Sequence, residues 1–483
     1  MKVEDKVLDL AKRRGFVWGP SPNIYEGGLK GFYDWGPLGK LLKNKVENIL
    51  RKGFSGFSFW EVECPTIMPK KVWEASGHMD GLIDYVTYCT KCKSAHRVDH
   101  LMDDIEDFNQ KKLGELLRER KIICPSCKKG GFEVVEKRNL MMKTKIGLDQ
   151  EAFLRPETAT TTYLLFPELY RFFRTKMPFG VFQSGKAYRN EISPRQGVFR
   201  TREFTQIEAQ LFLLKENFND YEKFNDYADE ELPLMKYGFK KIEHIRLGDS
   251  IKKKFMKKEA YAFMNFVAYK LIKDMGFDSN KIRIRQHNPA ELAFYADDAW
   301  DIEINTERHG WMELCGIHDR KDYDLKRHAE FSKTKMEVQG ETPTILEIAF
   351  GLERTAYALL ENSLVDDKDR DWLNFKQGIA PIDIAVFPLM KKEGMDDLAK
   401  ELFSNLDKDF ACVYDDSGSI GRRYRRMDEV GTSFCITVDH DSLKENDVTI
   451  REVSSMKQTR IKISEVTKIV KDLISGKISF EDL

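Results

Sequence analysis

Two apolar runs, residues 179–184 and 204–213, enclose a very polar loop, residues 189–202. Runs of this length, rich in aromatic and branched side chains, read as strands, so the chain has to build a hairpin with its charge held between them. Five cations crowd the loop and its approach: Lys186, Arg189, Arg195, Arg200 and Arg202. Guanidinium matches phosphate with paired donors. A hairpin with Arg189 at one end and Phe204 at the other could clamp a nucleoside triphosphate, the arginine on the α-phosphate and the ring stacked on adenine. Taken alone, the segment equally fits a solvated hairpin edged by ion pairs.

Single cores stop growing at roughly 250–300 residues, and this chain has 483, so at least two domains are expected. Residues 3–14 have helical spacing, 37–52 predict a helix, and 53–68 predict a strand that stops at Pro65. Residues 85–140 read as an insertion with a charged helical middle at 101–121. Residues 215–280 predict a second, lysine-rich helical insertion, with Tyr261, Phe263, Phe266 and Tyr269 at helical spacing as core. Strands follow at 281–285, 299–305 and 310–315, and 344–350 leads into a helix at 351–360. The polar stretch 361–378 reads as a linker. Beyond it, strands at 383–387, 411–414 and 433–438 alternate with helices at 395–406 and 421–429. Two more strands, 448–453 and 459–463, and a closing helix complete an independent α/β domain. The predicted division is 1–375 and 376–483.

Lysine plus arginine and aspartate plus glutamate balance at 79 each, so bulk charge points to no nucleic-acid partner and any such site must be local. Glu4, Asp5 and Asp9 interrupt the first residues, and no apolar run reaches the roughly 18 residues a membrane helix needs. Secretion and membrane insertion are not expected. Eight cysteines in this length are too few for a disulfide scaffold, and the default address is the cytoplasm. Four of them form two tight pairs, Cys89-x-x-Cys92 and Cys124-Pro125-x-Cys127. That is zinc-ribbon spacing, and Zn²⁺ prefers a tetrahedron of thiolates; four free thiols or a single reactive pair are the alternatives. His96 and His100 follow closely and could replace a thiolate. Cys64, Cys315, Cys412 and Cys435 sit in apolar runs and read as core.

Further constellations carry charge into apolar surroundings. In residues 347–354 a strand passes through Gly351 into a helix, with Arg354 in its first turn. The macrodipole disfavours a cation there unless an anion is near, so Arg354 predicts a phosphate or carboxylate partner; in isolation the segment is also an ordinary strand–helix turn. Glu157, Glu208 and Glu313 each lie in an apolar stretch, where an unpaired charge is costly. Each should face an ammonium, Mg²⁺ or an arginine, with a structural salt bridge as the alternative. Residues 421–426 pack Arg422, Arg423, Arg425 and Arg426 into a helix start, which is a phosphate-seeking patch or a solvated basic helix.

Taken together, these elements resemble the class II aminoacyl-tRNA synthetases. Arg189-x-Glu191, the loop, Arg200-x-x-x-Phe204 and the later Gly351-x-x-Arg354 look like their motifs 2 and 3. Gly56-Phe57-x-x-x-Glu61-Val62-x-x-Pro65 looks like motif 1. The finer resemblance is to glycyl-tRNA synthetases of the homodimeric type. It is carried by Gly31-Phe32-Tyr33-Asp34-Trp35-Gly36-Pro37-Leu38-Gly39, by Trp73-Glu74-Ala75-Ser76-Gly77-His78, by residues 189–197 and by residues 416–426. It implies an α/β fold: a catalytic domain built on an antiparallel sheet and a C-terminal mixed α/β anticodon-binding domain. The implied reaction attaches glycine to tRNA through a glycyl-adenylate, with ATP and Mg²⁺.

The resemblance also implies residue roles. Arg189 binds the α-phosphate and the reacting carboxylate, Glu191 orients ATP, Phe204 stacks on adenine, Arg354 holds the γ-phosphate and Glu313 meets ATP through Mg²⁺. Asn190, Phe199, Arg200, Arg202, Leu314 and Gly351 complete the ATP site. Glu157 and Glu208 grip the substrate ammonium, with Arg97, Phe204, Glu347 and Gly351 around it. Arg422, Arg423, Arg425 and Arg426 contact tRNA. Two departures stand out: Ile348-Ala349 replace Pro-Ser after Glu347, and Thr160-Thr161 replace Gln-Gly. The first removes a hydroxyl that could contact glycine, which keeps open a synthetase for alanine or serine. A catalytically silent, nucleic-acid-binding relative is the other reading. No segment resembles an editing domain, since a glycine pocket rejects larger substrates by collision.

Overall fold

Residues 206–211 alternate strictly, Gln-Ile-Glu-Ala-Gln-Leu, which gives one polar and one apolar strand face. In the computed structural model Ile207, Ala209 and Leu211 are buried in the main core, while Gln206 and Glu208 line a cavity on the opposite side. The structure describes residues 3–102, 109–192, 194, 197–293, 295–307, 309–366 and 370–483. Arg195 of the polar loop lies outside them, as do residues 103–108 of the expected charged helix.

The strand Glu203–Leu213 belongs to a nine-stranded sheet. In spatial order its members are Glu243–Arg246, Glu231–Met235, Ile282–Gln286, Asp298–Thr306, Gly310–Lys321, Thr344–Gly351, Glu203–Leu213, Phe179–Tyr188 and Phe59–Glu61. Neighbours are antiparallel except Phe59–Glu61 against Phe179–Tyr188 and Glu231–Met235 against Ile282–Gln286. The expected hairpin is present, with Tyr188 opposite Glu203 at its charged end. Helices Pro37–Gly56, Glu259–Asp274 and Leu352–Ser363 share the main core with the apolar face, through Leu42, Val46, Phe263, Val267, Ala356 and Leu360.

The insertion at 85–140 is a small module of its own. Strands Ile83–Cys89, Ala95–Arg97 and Phe132–Asn139 form a sheet, and helix Gln110–Glu119 packs on it through Leu113 and Leu117. The segment 215–280 departs from expectation. Only its second part is a long helix, Glu259–Asp274, whose Tyr261, Phe263, Phe266 and Tyr269 are core as expected. Its first part supplies Glu231–Met235 and Glu243–Arg246 to the sheet edge. Charged residues facing solvent from edge strands, as Glu231, Glu243 and Arg246 do, hide the period-two signal.

The C-terminal domain follows the predicted alternation. Strands Ile384–Pro388, Cys412–Tyr414 and Phe434–Val438 are parallel, and Asp447–Glu452 and Gln458–Lys462 continue the sheet antiparallel. Its core is Ile384, Val386, Leu402, Ile436, Ile450 and Val470 with their neighbours. The stretch read as a linker is instead packed: Leu364–Asp366 and Asp371–Leu373 pair antiparallel, and Trp372, Leu373 and Phe375 join the main core beside Met427, Val430 and Cys435 of the C-terminal domain. Lys45 pairs with Asp383 at 2.8 Å, Arg370 with Asp428 at 2.9 Å, and Arg13 and Arg14 both with Glu429.

Candidate active site

The polar face of the nine-stranded sheet is the floor of a cavity of about 270 Å³. Backbone pairing sets the floor out in rows. Glu208, Ala349, Gly316 and Asp301 stand side by side on four adjacent strands, and Glu347 stands beside His318 in the next row. Ala349 and Gly316 are small and form a low floor between carboxylates, and the His318 ring leans over Gly316. Arg189 and Arg354 both line this cavity, together with Glu157, Glu208 and Glu347.

The acids are buried and held in different ways. Glu157 follows Arg155, a buried guanidinium that donates to the carbonyls of Cys64 (3.0 Å) and Lys186 (2.8 Å) and to the Gln183 side chain (2.7 Å). This fixes the turn that points Glu157 inward. Burial works against its charge, but His78 (3.3 Å), Arg320 and the Thr160 hydroxyl (2.6 Å) outweigh it and hold Glu157 well below the usual carboxylate range. Glu347 is likewise lowered against burial, by Arg320 and His318, and it also accepts from the Tyr163 hydroxyl. Arg320 is fully buried; it donates to Asp324 at 2.8 and 2.9 Å, lies 3.4 Å from Glu347, and has its guanidinium 3.9 Å from the centre of the Tyr295 ring.

Among the described residues no lysine or arginine forms a salt bridge with Glu208. Its Oε2 accepts from the Thr158 hydroxyl (2.5 Å) and the Ala159 N–H (2.6 Å), and no donor reaches Oε1 among the described residues. Burial, then Glu347 and Glu157, push its carboxyl up to about 8. A carboxyl raised in this way, beside two lowered ones, is the kind of perturbed group that gathers at ligand sites.

At the other end of the cavity, Arg189 donates to the Pro156 carbonyl (3.1 Å) and its guanidinium sits 5.5 Å from the centre of the Phe204 ring. Arg200 donates to Glu191 at 2.7 Å. Arg354 donates to the Glu313 carbonyl (2.9 Å) and lies 3.2 Å from its carboxylate, so Glu313 meets the cation predicted for it. Phe199, Leu314 and Gly351 line the same space. Three expected members do not. Arg97 is held by Asp84 (3.2 Å) and Asp99 and stands behind Glu191 at 3.7 Å. Arg202 donates to the backbone of Glu191 and Lys30, and the Asn190 N–H donates to Leu140, so both brace the loop rather than face the cavity.

Several lining or supporting residues escaped sequence reasoning: His78, Tyr163, Tyr295, His318, Arg320 and Gln206. Arg320 carried no signal: it lies beyond the expected strand at 310–315, in the polar sequence His318-Asp319-Arg320-Lys321, and the strand that holds it runs on to Lys321. Gln206 Oε1 is buried without a partner among the described residues, which is costly unless a ligand satisfies it. Thr160 and Thr161 fill out the buried network, Thr160 donating to Glu157 and Thr161 to the Thr158 carbonyl at 2.7 Å.

In the small module the four thiols of Cys89, Cys92, Cys124 and Cys127 all lie within 4.8 Å of one another. Cys89 and Cys127 are 3.6 Å apart and Cys92 and Cys124 3.8 Å, close to the about 3.8 Å edge of a tetrahedron with 2.3 Å zinc–sulfur bonds. His96 contacts the Ser94 hydroxyl at 2.8 Å and approaches Cys124 at 3.4 Å, flanking the thiols. In the C-terminal domain the arginine patch divides. Arg422 and Arg425 are exposed, but Arg423 is buried and donates to the carbonyls of Pro388, Asp416 and Gly418, and Arg426 is tied to Asp415. A buried guanidinium whose terminal nitrogens are turned to the domain's own carbonyls is not available to RNA.

Residues 142–363 match the tRNA synthetase class II core domain (G, H, P, S and T), and residues 383–473 match an anticodon binding domain. Among solved structures, prolyl-tRNA synthetase from Cryptosporidium parvum, complexed with halofuginone and AMPPNP, shares the fold with a TM-score of 0.60 at 13 % identity, over 99 % of this chain and 78 % of that one. The glycine–tRNA ligase of Methanococcus vannielii is 38 % identical over 98 % of this chain and 100 % of its own. That of Thermococcus kodakarensis is 38 % identical over 96 % and 97 %. With both domains matched and relatives aligned across nearly their whole length, the chain belongs to the glycine–tRNA ligase family.

Proposed function

We propose that this ligase activates glycine with ATP in the cavity of the nine-stranded sheet and then passes it to the 3′ end of tRNA. The observation that carries the site assignment is the sharing of one cavity by Arg189 and Arg354, from distant parts of the chain, with three buried acids. Glu157, Glu208 and Glu347 take the ammonium, and glycine's carboxylate points toward Arg189. A carboxylate oxygen bonds to the α-phosphorus as the bond to pyrophosphate breaks, and the ribose hydroxyl of tRNA then displaces AMP. Such a transfer needs alignment and charge neutralisation more than proton transfer. Arg189 supplies these at the α-phosphate and Arg354 at the γ-phosphate. Glu191, fixed by Arg200, orients the nucleotide, Phe204 stacks on adenine, and Glu313 is placed to meet the Mg²⁺ that accompanies ATP.

The Cys89, Cys92, Cys124 and Cys127 thiols fit a structural Zn²⁺, which would cross-link the two ends of the small module. Arg422 and Arg425 contact tRNA. A second copy of the chain pairs along the edge strand Phe59–Glu61, where Trp60 and Phe172 form an exposed aromatic pair with centroids 5.5 Å apart. No described helix is long and apolar enough to cross a membrane, and a tRNA ligase works where translation does, in the cytoplasm.

Pyrophosphate exchange with glycine, alanine and serine in parallel tests the reading. Glycine alone should support exchange, and Arg354→Ala should lower kcat/KM by about 100-fold or more. Exchange with none of the three would indicate the silent relative, and exchange with alanine or serine alone the other-substrate reading.

A further inference from the structure

We infer that His318 sets the amino-acid specificity of the cavity: its imidazole fills the space over the sheet floor into which a substituent on the substrate's α-carbon would project. This rests on the reading of the cavity as the glycine site. The floor beneath the acids is made of Ala349 and Gly316, adjacent on neighbouring strands, with Glu208 on one side and Asp301 on the other. Two such small residues leave a hollow wide enough for more than glycine, and neither rejects a methyl or hydroxymethyl group. Something else has to.

His318 lies two residues beyond Gly316 on the same strand, so it projects from the same face. Its ring leans back over Gly316. A Cβ built on Gly316 would stand 2.8 Å from Cε1 of that ring and 3.4 Å from Nε2, so the imidazole occupies the volume directly above the floor. It also lines the cavity.

The ring is held in place from two sides. Nδ1 is 3.2 Å from Oε1 of Glu347, whose carboxylate is itself held by Tyr163 and Arg320. The His287 ring packs edge-on with centroids 6.4 Å apart, and His287 is fixed by Asp301 at 2.7 Å. A wall braced in this way rejects by collision, which discriminates more strongly than the missing contact of a smaller substrate.

The test is pyrophosphate exchange by wild type, His318→Ala and His318→Asn with glycine, alanine and serine. Asparagine is shorter than histidine but keeps a donor for Glu347. Both variants should gain exchange with alanine, raising its kcat/KM at least about tenfold over wild type, the low end of what one methylene is worth in a fitted pocket. Glycine exchange should persist in both. If either variant retains glycine exchange and gains nothing with alanine or serine, the inference is wrong and His318 only positions Glu347, in which case the glycine KM alone would rise. Failure of the wild type to exchange glycine would overturn the site reading instead.

Discussion

Glu208→Gln should make this protein more stable and a poorer enzyme, and the gain in stability should grow with pH. In the folded chain the Glu208 carboxyl titrates at about 8, against an ordinary value of 4.5. A carboxyl raised in this way favours the fold fully below pH 4.5 and opposes it increasingly as pH climbs to 8, because the unfolded chain ionises freely while the folded one does not. At about 1 kcal/mol or slightly more per pH unit, the cost is about 1 kcal/mol at pH 5.5 and several kcal/mol, roughly 3–5, at pH 8.5. Glutamine has no such cost, and its amide oxygen still accepts from the Thr158 hydroxyl and the Ala159 N–H. Urea unfolding of both proteins at the two pH values should therefore show a difference that widens by about 3 kcal/mol. Over the same substitution the glycine KM should rise about tenfold to hundredfold, the value of a hydrogen bond to a charged group. A stability difference that is flat with pH, or an unchanged glycine KM, would refute the argument that Glu208 is an acid kept waiting for an amine.

Two other outcomes follow from the geometry. Purified protein should carry close to one zinc per chain, and Cys124→Ser should release it and lower the unfolding temperature; less than about half an equivalent in wild type ends the zinc assignment. Arg422→Ala combined with Arg425→Ala should weaken tRNA charging while leaving glycine-dependent pyrophosphate exchange unchanged, whereas Arg423→Ala should act on stability, by about 1–3 kcal/mol in thermal or urea unfolding, because it orphans the Pro388, Asp416 and Gly418 carbonyls. Equal loss of charging and exchange in the double variant would undo that division.

The catalytic sheet and the C-terminal domain were legible because their strands and helices carry clean periods, as in residues 206–211. The sharing of one cavity by Arg189 and Arg354 was legible only through the resemblance, since each motif by itself also fits an ordinary surface turn. The acids' partners were not. Arg320, His318 and Tyr163 reach Glu347 from strands and helices that only the folded register brings together. Residues 215–280 misled because edge strands with charged outer faces resemble lysine-rich helix in composition. The arginine patch misled for the opposite reason: four like residues within five positions look equivalent, yet one turn of helix sends Arg422 and Arg425 to solvent and Arg423 into the domain.

The paired strands Leu364–Asp366 and Asp371–Leu373 and the ion pairs from Lys45, Arg13 and Arg14 give the two domains a shared interior. The helix that presents Arg422 and Arg425 is rooted at its far end, through Met427 and Val430, in the same apolar mass that supports the catalytic floor. The molecule resembles a calliper: packed side chains and ion pairs, not a free tether, hold the distance from the exposed arginines to the cavity. An RNA that touched both would be measured against that gauge.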